Sequence, residues 1–146
     1  MNGTTRIVVG VDHDTRLEVL DWAAREASLR DAAVHVVHVW DPLAAGRIRM
    51  SPDPAPAAEE IVHHAVEHLG ALMLLSGEVV QGDAGAILVA LSTTAALLVL
   101  GSSRPPGNGG LLLGGVAQHC VRQAHCPVTV VPQGWQCALS ASGPHS

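Results

Sequence analysis

The chain has 146 residues, 48% hydrophobic and 14% charged, with a formal net charge of −5 and no lysine. This composition describes one folded domain whose core is Val, Leu, Ile and Ala, since Phe and Tyr are absent. It argues against nucleic acid as a partner, which demands concentrated basic side chains, and the missing lysine excludes both a GxxxxGK phosphate loop and Schiff-base chemistry.

No apolar run reaches the ~18 residues needed to cross a bilayer, and the polar residues 1–6 carry no signal-peptide pattern. Cys120, Cys126 and Cys137 form an odd set without CxxC spacing. A reduced, cytoplasmic setting away from membranes is the expectation.

Residues 6–11 are a β-branched run suited to a strand buried on both faces. Asp12, His13 and Asp14 break it. Thr15 and Glu18 have capping-box spacing and open a helix predicted to reach residue 30, with Leu17, Leu20, Ala24 and Ala27 on its inner face and an Asp21–Arg25 pair outside. Residues 33–40 form the second predicted strand. Residues 41–56 hold four prolines and read as a loop long enough to act as a flap.

A second helix is predicted over 57–75, ended by Gly77, and a short third strand over 78–81. Asp83 caps a third helix over 84–93. A fourth strand over 96–100, a glycine-rich loop over 101–115 and a helix over 116–124 follow, then a fifth strand within 127–132. The Gly-, Ser- and Ala-rich residues 133–146 read as a flexible tail on a domain spanning 1–132.

Five apolar strands alternating with four helices predict a parallel sheet covered on both faces, with right-handed crossovers. Ligands in such folds bind beyond the carboxyl ends of the strands, where the strand order reverses. Asp12 and Gly101 stand at two such ends. Strand, glycine loop and helix in succession is also the arrangement that gathers backbone N–H groups around a phosphate, here those of Gly114, Gly115 and Val116.

The blocks VVGVD at 8–12, WA at 22–23, VVHVW at 36–40, LVLGS at 98–102, LLLG at 111–114 and CPV at 126–128 resemble a universal stress protein domain over residues 5–132. The resemblance implies a Rossmann-like sheet in the order 3-2-1-4-5 and a homodimer paired through the edge strand at 128–131. It also implies binding of ATP, or of ADP or AMP, through a G-x2-G-x9-G-[S/T] motif. Gly101 and Gly114 match its first and third glycines. Arg104 stands in place of the second, and Gly115 in place of the Ser or Thr hydroxyl. Ala96 departs from the Asp common in relatives.

By the same resemblance Asp12 and Val39 are on the base side. Gly101, Ser102, Arg104, Gly114, Gly115 and Val116 line the ribose and phosphates. Magnesium enters only with the nucleotide. Two readings stay open: a nucleotide-linked regulator with a weakened motif, and an interaction module of the same family that binds no nucleotide. No residue set calls for catalysis beyond slow ATP hydrolysis.

Other constellations read as structural. His64 and His68 have i,i+4 spacing but lack the HExxH glutamate and a third ligand, so a polar helix face is expected of them and of His63. His35 and His38 fall on opposite faces of their strand. Ser102, Ser103 and His119 lack a GxSxG elbow and an orienting acid.

Overall fold

The computed structural model describes residues 5–12, 15–41, 55–70, 74–102 and 114–135. Five strands alternate with four helices: β1 (Arg6–Gly10), α1 (Leu17–Arg30), β2 (Ala33–Trp40), α2 (Ala55–Leu69), β3 (Leu75–Gln81), α3 (Ala84–Ser92), β4 (Leu97–Gly101), α4 (Gly115–Gln123) and β5 (Val128–Val131). All strands are parallel, in the order β3-β2-β1-β4-β5. The expected Rossmann-like topology is therefore present.

Strand alternation divides the core in two. Ile7, Val9, Val34, Val36 and Val99 face α1 and α2, against Val19, Leu20, Ala23 and Ala27 and against Val62, Ala65 and Leu69. Val8, Val37, Leu98 and Leu100 face α3 and α4, against Leu88, Ala117 and Cys120. The buried face of α1 is turned from the expected one. Leu17, the first residue of the helix, is 55% exposed, and Val19 and Ala23 enter the core beside the expected Leu20 and Ala27, with Ala24 half-buried against it.

Several local expectations are corrected. Thr15 does not cap α1. Arg16 is the N-cap, without a side-chain cap bond, and the Thr15 hydroxyl turns back to Asp12. Glu18 is committed elsewhere, its carboxylate accepting from Gly134 N at 2.8 Å. Asp21 meets His68 of α2 at 2.8 Å in place of Arg25, so the contact joins two helices. Asp83 does cap α3, accepting from Ala86 N at 2.9 Å.

The second helix ends early, at Gly70, whose φ of +67° lies in the left-handed region that stops helices. Gly77 is a strand residue. A Cβ there would come within 2.6 Å of Val62 Cγ1, so the glycine lets α2 lie close over β3, and the strand begins at Leu75. On the other face of this edge, His35 Nε2 is hydrogen-bonded to Glu78 Oε1 (2.7 Å) and Nδ1 to Ser76 Oγ (2.6 Å). These two bonds fasten β3 to β2. Beyond β5, Trp135 packs against the α1-side core.

Candidate functional site

The sheet opens where its order reverses. The β1–β4 ladder stops at Val9 and Val99. Beyond that point each strand stays with its outer neighbour: Val11 N donates to Val37 O at 2.9 Å, and Ser102 N donates to Val131 O at 3.1 Å. The two turns therefore part, and a cleft of about 290 Å³ lies between them.

The cleft gathers Asp12, Val39, Gly101, Ser102, Gly114, Gly115 and Val116, seven residues singled out from the sequence. Arg104 and Ser103 lie outside the described residues, as do residues 42–54 of the proline-rich loop and Cys137. Along the strand order, the β2 end has an apolar wall of Val37 and Val39 with Leu88 of α3, and Leu100 of β4 continues it past β1. The first turn of α4, whose Ala117 packs with Leu88 and Leu100, borders the cleft on the α3–α4 face of the sheet. The β5 end is polar, with Arg16, Glu18 and Gln133.

Two contacts set the Asp12 turn. Asp12 N donates to Thr15 Oγ1 at 2.8 Å, and that hydroxyl donates back to Asp12 Oδ1 at 3.2 Å. Below it, buried His38 donates from Nδ1 to the Val11 carbonyl at 2.7 Å, tying the end of β1 to β2. The carboxylate of an exposed residue is thus carried on a turn fixed from both sides.

The α4 turn offers a different chemistry. Its N-cap, Gly114, is extended and makes no side-chain cap bond. Gly115, Val116 and Ala117 present first-turn N–H groups that helix geometry leaves without an intrahelical carbonyl. These groups and the helix dipole favour an anion. No acidic side chain stands in that turn to compete.

Sequence reasoning misses Thr15, Arg16, Glu18 and Gln133 as cleft residues. Thr15 and Glu18 look like a local cap, and Gln133 like the start of the tail. The long-range Glu18–Gly134 bond shows that the α1 and β5 ends meet. His119 is not at the cleft. Its ring lies over Gly85 of α3, where a Cβ would approach within 2.8 Å. Cys120 is buried behind α4 and Cys126 packs half-buried against the same core, and burial pushes both thiols above their ordinary range. His63 lies 3.6 Å from Glu67 on the exposed side of α2. No helix among the described residues is long and apolar enough to cross a membrane.

Comparison with known proteins gives a consistent result. Residues 3–132 match the model of the universal stress protein family. The chain is 32% identical over 146 residues to a universal stress protein of Mycobacterium tuberculosis, covering 89% of this chain and 48% of that relative. It is 32% identical over 151 residues to one of Mycobacterium bovis, covering 87% and 48%. It therefore spans about half the length of these relatives.

Among solved structures, a universal stress protein from Archaeoglobus fulgidus superposes with a TM-score of 0.72 at 26% identity, covering 87% of this chain and 98% of that one. A structure of the Archaeoglobus fulgidus protein in complex with dAMP superposes at 0.67 with 25% identity, covering 87% and 97%.

Proposed function

Since this chain belongs to the universal stress protein family, we propose that its cleft binds an adenine nucleotide and that the protein acts as a nucleotide-linked regulator. The observation that carries this reading is the meeting of the Asp12 turn and the first turn of α4 in one cleft at the strand-order reversal. The cleft volume of about 290 Å³ falls just short of the range for small-molecule sites, about 300–1,000 Å³. The dAMP complex of the Archaeoglobus fulgidus relative supports the choice of an adenine ligand.

In this reading the base lies against Val37, Val39, Leu88 and Leu100. The Asp12 carboxylate accepts from a base amino group or a ribose hydroxyl. Gly101 and Ser102 border the ribose, and the N–H groups of Gly115 and Val116 meet the phosphates. Arg104 joins the phosphate side by its place in the family spacing. Magnesium comes only with the nucleotide, and no step of catalysis is assigned.

The same reading extends to a cytoplasmic homodimer formed by residues 128–131. Among the described residues β5 is the outermost strand of the sheet, an edge suited to pairing with a second copy. Light scattering at graded concentration tests the dimer.

Calorimetric titration with ATP, ADP and AMP tests the nucleotide. Saturable binding that weakens in Asp12→Ala is the expected result. A flat titration against folded protein leaves the interaction-module reading in its place.

A further inference from the structure

We propose that Arg16 selects for the polyphosphate end of the ligand, so that this site prefers ATP to AMP and to adenosine. The inference rests on the nucleotide reading above and adds to it a residue outside the glycine motif.

Three charged side chains among the described residues line the cleft: Asp12, Arg16 and Glu18. Asp12 is engaged by Thr15 at the base of the β1 turn. Glu18 is engaged by the backbone of Gly134. Arg16 is the cation of the set. Its Nε lies 3.7 Å from Glu18 Oε2, beyond the 2.7–2.9 Å of a charge-assisted hydrogen bond. The guanidinium is thus kept at the cleft by attraction, without being locked to its partner. Its side chain is 56% exposed and rooted at the N-cap of α1, free of any capping bond.

Position along the sheet gives the direction. The apolar wall suited to a base is at the β2 end. Arg16, with Glu18 latched to Gly134 just past β5, is at the opposite end. A nucleotide laid between them with its α-phosphate at the α4 turn sends further phosphates toward Arg16.

Demand for a cation there is also visible. The α4 turn supplies only backbone N–H groups and a partial charge, Gly115 brings no hydroxyl, and beside Arg104, which the family spacing alone assigns there, Arg16 is the one cation among the described residues of the cleft. A guanidinium presents a planar fork that matches phosphate oxygens in pairs.

Titration calorimetry of the full chain with adenosine, AMP and ATP in metal-free buffer tests this, using the native protein, Arg16→Gln and Arg16→Lys. The native protein should bind ATP at least about tenfold more tightly than adenosine, the strength of one charge-assisted contact. Arg16→Gln should remove most of that ratio, and Arg16→Lys should restore part of it. Added salt should shrink the native ratio more than that of Arg16→Gln. An ATP-to-adenosine ratio unchanged by Arg16→Gln, with adenosine still bound, overturns the role of Arg16 alone. Failure of all three ligands to bind the native protein overturns the nucleotide reading and this inference together.

Discussion

Replacing Gly115 with serine restores the hydroxyl that the family motif carries, and the structure sets what it costs. A Cβ at Gly115 meets nothing within 4 Å, and its φ is not in the left-handed region, so neither clash nor strain opposes the change. Gly115 is the first residue of α4. Serine is better than glycine in a helix by about 0.5 kcal/mol, which raises the melting temperature of a domain this size by ~1–2 °C. A hydroxyl donating to a phosphate oxygen contributes about 1.5 kcal/mol, close to tenfold in affinity.

Gly115→Ala separates the two effects. It should match or exceed the thermal gain without the gain in affinity. Thermal melts followed by circular dichroism, together with ATP titrations of native, Ser and Ala proteins, read both quantities. Equal ATP affinity in the Ser and Ala variants would refute the placement of the phosphate at the first turn of α4. A lower melting temperature in Gly115→Ser would refute the open space described beside it.

Other expectations concern the framework that holds the cleft. Ser92 is buried, donates to Val89 O at 2.6 Å and accepts from His125 N at 2.8 Å. Ser92→Ala leaves that N–H without its acceptor and should cost about 1–3 kcal/mol in urea denaturation; a neutral result contradicts the contact. Gly77→Ala puts a methyl group 2.6 Å from Val62 Cγ1 and 3.1 Å from Val66 Cγ2, both on stiff branched side chains. A loss of about 1–3 kcal/mol is expected, with partial recovery when Val62→Ala is added. Burial raises the Cys120 thiol, with a further rise from Cys126, and burial raises Cys126 itself. The folded protein therefore holds these protons more tightly than the unfolded chain. Their contribution to stability is constant below the ordinary thiol value of about 8.5 and is lost as the pH climbs above it. Urea melts in reducing buffer at pH 7 and 9.5 should show that fall, and it should be shallower in a Cys120→Ala, Cys126→Ala double variant.

The parts of the fold legible in sequence are those where a local signal and the tertiary structure agree. β2 falls at residues 33–40 as expected because an apolar run this long has no competing assignment. Asp83 caps α3 because its partner is three residues away. The boundary between α2 and β3 is hidden from a local reading because two glycines lie near it. Gly70 ends the helix through its φ, and Gly77 makes room for Val62, a contact that no local pattern announces.

The candidate site divides in the same way. Asp12, Gly101 and Gly114 stand beside strand or helix ends and can be located by counting elements. Arg16 and Glu18 cannot be, because their place depends on Gly134, 116 residues from Glu18. Thr15 shows how a residue at the right place can serve a different purpose from the one its spacing suggests. Its hydroxyl has the position of an α1 cap and instead holds the turn before the helix.

Hydrogen–deuterium exchange, with and without saturating ATP, tests the cleft itself. Slowed exchange is predicted together at residues 10–12, 101–102 and 115–117, the two turns that border the opening between β1 and β4. ATP bound at saturation with these amides unchanged, or with protection confined to other parts of the chain, would contradict a shared cleft.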